Sequence, residues 1–417
     1  MNRVIVFVPH QDDETNLAGN ILSALAEKYD TYVVYSSLEM EKSKARIREK
    51  EAINACFVYG IAESHIIFLN YPDTPNREGY HYYTSGDKSI IKKIEKILVS
   101  LKPEIIIGTD FDFHSDHRML SLALDEAVHN VMIENQKYMP LYLKGFCYET
   151  AYYGVEDYSA SDLKDTVIKS KSLDNVSYRW EDRISIKSAE SNGYIFNKIP
   201  YKALKCHKSQ YATLHARSII NSDNVFWQKR TDNLLLRGSK IVASSGDASK
   251  LTDLKVIDTD DIITYDPRQI DYSKGLWIPD ISDKKPHISI DFDKSENVQK
   301  IVFHGNPMMN YQYSCNIEII IGNVIYRVRK LNPYGQPTSV ILDIVCRHID
   351  IFVHTKNALS EIEVFDHCDD GEVDILPAEK KKKNSVYIDF IDRVAFDIYV
   401  LLIKIIRKIR KFGAMNK

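Results

Sequence analysis

MNRVIVFVPHQDDE, residues 1–14, is the stretch whose reading decides the fold. Arg3 to Val8 is a short β-branched, apolar run, the pattern of a strand buried on both faces of a parallel sheet. Pro9 ends it, and His10, Asp12, Asp13 and Glu14 follow within five positions. In open α/β sheets, ligands bind outside the carboxyl ends of the strands, which is where this cluster falls. One imidazole beside adjacent carboxylates is a ligand set that suits a divalent metal such as zinc. A strand-to-helix loop whose Asp residues cap the next helix would also produce such a pattern.

Working outward, the apolar spacing of Leu17, Ile21, Leu22, Leu25 and Ala26 predicts a helix over Leu17 to Tyr29. Thr31 to Tyr35 reads as a second strand. Glu41 to Tyr59 reads as a long helix with Ile47, Ala52, Ala55 and Cys56 on its apolar side, stopped by Gly60. Ile66 to Leu69 is a third strand. Asn70 to Gly86, with Pro72, Asp73 and Pro75, is a loop of the kind that covers a site. Lys88 to Leu101 is a helix that Pro103 stops, and Glu104 to Gly108 is a fourth strand. Strands alternating with helices at this spacing predict an α/β fold, a Rossmann-like doubly wound parallel sheet.

The fourth strand leads into Thr109 to Arg118, TDFDFHSDHR, where His114 and His117 stand three apart with a helix expected from Met119. Positions i and i+3 in a first helical turn can face one point. Two strand ends therefore offer His10, Asp12 and Asp13, then His114, Asp116 and His117. A His-Asp-His set leaves positions open on zinc, as catalytic rather than structural sites do. A metal of this kind lowers the pKa of water, a free carboxylate can move the proton, and a second imidazole can stabilise an oxyanion. That inventory fits hydrolysis of an amide.

The chain has 417 residues, room for two or three domains, and an apolar fraction of 44% that supplies real cores. A net charge of −3 gives no global reason to expect nucleic acid. Six cysteines without a CxxC pair argue against a cysteine-rich zinc module and read as core residues of a reducing compartment. No signal segment is seen at the N-terminus, so the catalytic part is expected in the cytoplasm.

His10-Gln11-Asp12-Asp13-Glu14 and His114-Ser115-Asp116-His117-Arg118 resemble the two motifs of the PIG-L/LmbE-like zinc-dependent de-N-acetylases. The family usually has Pro at the second position of each, where Gln11 and Ser115 stand here. The resemblance implies that His10, Asp13 and His117 hold zinc, that Asp12 is the general base and that His114 steadies the tetrahedral intermediate. Three more stretches agree: Arg48-Glu49-Lys50-Glu51-Ala52, Asn70-Tyr71-Pro72-Asp73, and Lys202-Ala203-Leu204 followed by His207, Ser209 and Gln210. Together with the first motif they make Glu14, Arg48, Asp73 and His207 the expected substrate contacts. A salt-bridged helix face would equally explain Arg48, and a proline turn Asp73. The resemblance spans about residues 1–240.

Beyond residue 240 the texture changes to short strands, Ile288 to Phe292, Val298 to Phe303, Cys315 to Ile321, Val324 to Val328, Ser339 to Val345, Ile349 to Val353 and Ile362 to Phe365. Polar turns separate them, so residues 241–377 read as an antiparallel β-sandwich. Trp277-Ile278-Pro279 followed by Asp291-Phe292-Asp293 resembles the galactose-binding, discoidin-like sandwich, which implies a glycan partner, with Trp277 and Tyr311 as candidate contacts. Residues 378–417 hold a basic linker, Lys380 to Lys383, and a helix over Val386 to Phe412. Ile398, Leu401, Leu402, Ile405, Ile409 and Phe412 share one face. Asp397, Lys404, Lys408 and Lys411 lie opposite, with Arg407 and Arg410 flanking. Its apolar run is too short to span a bilayer, so the expectation is a basic amphipathic helix in the membrane interface. Docking on a partner subunit is the competing reading.

The expected function is a zinc-dependent hydrolase that removes an N-acetyl group from an amino sugar. The substrate would be a glycolipid or lipid-linked saccharide at the inner face of the cell membrane. Two alternatives stay open. One is a glycan-binding or scaffolding protein with an inactive hydrolase domain, and the other an amidase on a soluble thiol-sugar or small metabolite.

Overall fold

The computed structural model describes residues 2–73, 88–112, 114–147, 178–187, 194–219, 223–264, 269–369, 371, 373–376 and 385–415. β1 (Arg3–Val8) is buried along almost its whole length, as its apolar run requires. Ile5 and Phe7 enter one core, while Val4, Val6 and Val8 enter another on the opposite face. The chain continues through α1 (Asp13–Ala18), α2 (Leu22–Lys28), β2 (Asp30–Leu38) and α3 (Lys42–Val58). Next come β3 (Ile66–Pro72), α4 (Ser89–Leu101), β4 (Ile105–Thr109), α5 (Ser115–Glu134) and β5 (Leu141–Gly145). β6 (Ile184–Lys187), α6 (Ile199–Leu204) and β7 (Asp223–Lys229) complete the first unit.

The sheet runs β3-β2-β1-β4-β5-β7-β6 among the described residues. The first five of these strands are parallel, and β7 and β6 add antiparallel pairs at one edge. Strand order reverses between β1 and β4, and at such a switch point the loops part to leave a crevice at the strands' carboxyl ends. The two histidine-rich loops leave the sheet there. Gly108 in β4 lets α5 lie close, since a Cβ would stand 2.5 Å from Leu124.

Several local expectations are corrected. The helix expected over Leu17 to Tyr29 is two helices, because Asn224 accepts from Asn20 N and donates to Leu17 O. Ile47 is 50% exposed; Ala45 and Arg48 take the buried face of α3 instead. α5 begins at Ser115 rather than Met119, with His114 as its cap, so His117 sits in the first turn. Most of the expected loop over Asn70 to Gly86 lies outside the described residues, and β3 runs on to Pro72.

The second unit is a six-stranded antiparallel assembly, β11-β10-β12-β9-β13, with β8 (Lys240–Ala243) on β9. β9 (His287–Gly305), β10 (Tyr313–Ile321), β11 (Val324–Leu331), β12 (Thr338–Val353) and β13 (Leu359–Phe365) enclose a third core. Two pairs of expected strands are fused, because the polar stretch around Glu296 and Asn297 keeps pairing with Val345 and Cys346 through register shifts instead of turning. Trp277 is corrected too: it is fully buried in that core, its indole donating to Ser245 O at 2.8 Å, so it cannot face a glycan. Tyr311 is 58% exposed.

α7 (Ser385–Met415) lies against the first unit. Phe396 is buried among Ile195, Tyr201, Leu204 and Ile219, and the Tyr399 hydroxyl lies 3.0 Å from Thr213 Oγ1. The basic run Lys380 to Lys383 and the side chains of Ile409 and Phe412 lie outside the described residues. No described helix is long and apolar enough to cross a membrane.

Candidate active site

The loop after β1 places His10, Asp12 and Asp13 in the crevice, and the loop before α5 brings Asp112, His114, Asp116 and His117 to meet them. All of these are buried except His114, which is partly open. Asp13 Oδ2 lies 3.0 Å from His10 Nδ1 and 3.2 Å from His117 Nε2. The far nitrogens of both rings face carboxylates. His117 Nδ1 is 2.7 Å from Asp112 Oδ2, and His10 Nε2 is 2.9 Å from Asp116 Oδ2.

Those outer carboxylates fix the tautomers. In a neutral ring, an N–H donating to Asp112 or Asp116 leaves the lone pair of the other nitrogen facing Asp13. Asp13 Oδ2 thus stands about 3 Å from one nitrogen of each ring, a separation that neighbouring ligands on one tetrahedral ion have. Burial opposes charge on His117, but Asp112 and Asp13 hold its pKa up to about 9, so without an ion the ring donates to Asp13. Two imidazoles on one carboxylate are a donor set that fits a metal, which would displace those protons. Spacing groups His10 with His114 and His117, Asp13 with His117 and Cys147, and His10 with Asp73 and Asp116 as sets that could hold an ion. Yet His114 Nδ1 accepts the Asp116 backbone N–H at 3.2 Å, and burial pushes the Cys147 thiol well above its ordinary range.

His114 is therefore protonated on Nε2. Burial, with His10 and His117 close by, holds its pKa down to about 4, so the ring is a neutral donor. Asp12 sits at φ 134°, a strained conformation for any residue but glycine. Burial, then the Asp13 charge, raises its carboxyl to about 7, and a cation beside Asp13 would bring it down again.

Glu14 and His207, expected at the substrate, lie underneath instead. Both side chains are fully buried, with His207 Nε2 2.9 Å from Glu14 Oε1. The Glu14 carboxylate also accepts from Asp12 N at 3.0 Å, Thr15 Oγ1 at 2.9 Å and Tyr35 OH at 3.0 Å. Glu14 thereby holds the backbone of Asp12 in its strained turn. Arg48 Nη1 reaches Asp73 Oδ2 at 3.4 Å, and Asp73 Oδ1 lies 3.5 Å from His10 Nε2. Arg48 Nε has no hydrogen-bond partner among the described residues.

Residues 5–128 match the sequence profile of the GlcNAc-PI de-N-acetylase family, PIG-L. The chain carries a PIG-L domain. Such a domain implies a hydrolase that acts on an amide, and the buried His/Asp cluster fits its metal dependence. No curated protein matches the chain by sequence. Among solved structures, the chain is similar to N,N'-diacetylchitobiose deacetylase from Pyrococcus horikoshii at 22% identity and a TM-score of 0.27. That match covers 33% of this chain and 52% of the deacetylase, so the chain spans about half its length. It is also similar to 4-carboxy-2-hydroxymuconate hydratase from Pseudomonas putida, at 13% identity over 55% of this chain and 95% of that one, TM-score 0.36. A family 32 carbohydrate-binding module from Clostridium perfringens, solved with galactose, matches at 16% identity over 30% of this chain and 92% of the module, TM-score 0.20.

Asp112 and Asp116 were not singled out from the sequence as tautomer-fixing groups. The signal for Asp112 is its place five residues before His117 in the same loop.

Proposed function

We propose that the protein is a zinc-dependent hydrolase that removes an N-acetyl group from an amino sugar carried on a lipid or lipid-linked saccharide. The observation that carries this reading is the meeting of His10 Nδ1 and His117 Nε2 on Asp13 Oδ2, at 3.0 and 3.2 Å, in the loop that carries Asp12. These three residues would hold the ion, whose chemistry is to acidify water and polarise the amide carbonyl. Asp12 takes the proton from the attacking water and returns it to the leaving nitrogen. His114, with its proton on Nε2, donates to the carbonyl oxygen as charge builds on it. Arg48 and Asp73, at the partly open side of the cluster, hold sugar hydroxyls.

Chelation tests the reading. Stripping the protein should abolish acetate release from N-acetylglucosamine conjugates, and adding zinc back should restore activity in step with bound metal. Full activity in the stripped protein would overturn it. A second expectation concerns Asp112→Ala, which removes the acceptor that faces His117 Nδ1. Zinc affinity should fall about 10–100-fold in competition with a chelator. An unchanged affinity would show that Asp112 does not orient His117 for the metal.

The membrane is the proposed setting. On α7, Ile398, Leu401, Leu402 and Ile405 are 45–59% exposed, while Phe396 pins the helix to the unit that carries His207. Lys404 and Lys408 are exposed on the same helix, and a face of this chemistry favours an anionic lipid surface. We place it at the inner face of the cell membrane, where its free thiols would stay reduced. The full chain should sediment with vesicles containing anionic lipid, less so in high salt, and Leu401→Asp with Ile405→Asp should abolish this. Sedimentation unchanged by the double substitution would remove the tail from the account.

A further inference from the structure

A cavity of 430 Å³ lies between the two units, away from the metal cluster. Its origin can be read from the period of two in β9 and β13. Ile301, Phe303, Ile362 and Val364 point into the third core. The alternate residues, Lys300, Val302 and His304 on β9 with Glu361, Glu363 and Phe365 on β13, line the cavity. A sheet face so rich in charge is ordinarily solvated, yet here it is covered by β7, from which Trp227 and Lys229 line the opposite wall. β13 is consequently buried on both faces along nearly its whole length.

The walls combine flat rings with polar groups of both signs. Trp227 stacks on Tyr178 with centroids 5.4 Å apart, and Arg230 and Lys300 lie 4.4 and 4.9 Å from the Phe365 ring. Glu361 is 2% exposed, and its Oε2 has no hydrogen-bond partner among the described residues. Burial pushes its carboxyl well above the usual range, which keeps it a neutral donor. Lining cations and carboxylates are nearly equal in number, so the cavity does not select a strongly charged ligand. An apolar ligand would leave the buried carboxyl unpaired, at real cost. A sugar ring satisfies both demands, with its C–H groups against the apolar lining of Leu254, Val256 and Val302 and its hydroxyls on the carboxyls. The volume lies near the lower end of the roughly 300–1,000 Å³ typical of small-molecule sites.

We propose that this inter-unit cavity is a second, non-catalytic binding site for a neutral saccharide of one or two rings. It is separate from the loop ends of the β-unit, being built from the face of β9 and β13 that meets β7. The proposal does not depend on the deacetylase reading, and its test is read by binding alone.

The test is hydrogen exchange on the full chain, titrated with lactose and with N,N'-diacetylchitobiose at millimolar concentrations. Lactose has no N-acetyl group and cannot be turned over. Saturable protection of peptides covering Asp223–Lys229 and Leu359–Phe365 by at least one of them is expected. Glu361→Leu should weaken that protection about tenfold, the loss of one buried hydrogen bond. Glu361→Gln, which keeps an uncharged donor, should retain it within a few-fold. If Glu361→Leu fails to fold, the wild-type map and Glu361→Gln decide. No protection of these two strands, protection confined to the catalytic loops or the β-unit's loop ends, or protection unchanged in Glu361→Leu would each overturn the proposal.

Discussion

Replacing Asp12 by asparagine is expected to lower turnover by about two to four orders of magnitude while zinc remains bound in full. The substitution is nearly isosteric, and the account gives Asp12 no place among the ligands. Its backbone N–H donates to Glu14, a contact that asparagine preserves. Asparagine also tolerates positive φ better than most residues, so the strained turn at φ 134° survives. What is lost is the carboxylate that the account assigns to taking the proton and giving it back. The comparison requires steady-state rates and metal content from the same preparation. Activity near wild type would show that another group moves the proton. Loss of metal together with activity would show that Asp12 is a ligand, contrary to the role proposed for it.

His207→Ala is expected to have the largest effect on stability, about 3–5 kcal/mol, because it leaves the Glu14 carboxylate buried without the imidazole that faces it. Burial works against both charged forms. Even so, each partner shifts the other: His207 pulls the Glu14 carboxyl below its ordinary range, and Glu14 raises the imidazole. The consequence reaches the site through one contact, since Glu14 is also what holds Asp12 N in place. Turnover should therefore fall even at temperatures where the variant stays folded. Adding Glu14→Leu to His207→Ala should recover part of the stability, because no unpaired charge is then buried, but none of the activity. Urea unfolding of the two single variants and the double variant measures this coupling. A loss below about 1 kcal/mol for His207→Ala would mean that the pair is solvated in solution.

The legible parts of this chain were the local ones. β1 and HQDDE stand side by side in sequence, and HSDHR follows β4 directly, so strand ends and ligand types could be read together. The PIG-L domain was recognisable from those two motifs for the same reason. The contact between His207 and Glu14 was not readable, because it joins residues 193 positions apart and depends on how α6 packs. Asp112 looked like an ordinary loop carboxylate, and Asp116 like a member of the ligand cluster, until the fold put both behind the two imidazoles. β5, β6 and β7 were missed, since their short pairing is set by tertiary contacts rather than by a long periodic run. Trp277 sat beside Ile278 and Pro279 in what read as a surface loop. Its burial follows from pairing with Leu359, a partner that no local pattern announces.

The most direct test of the account is acetate release by the full, zinc-loaded chain from a panel of N-acetylamino sugars, free and lipid-linked. The account predicts release from lipid-linked N-acetylhexosamine, absent in Asp12→Asn and in the metal-free protein. No release from any member of the panel by protein shown to contain zinc would contradict it.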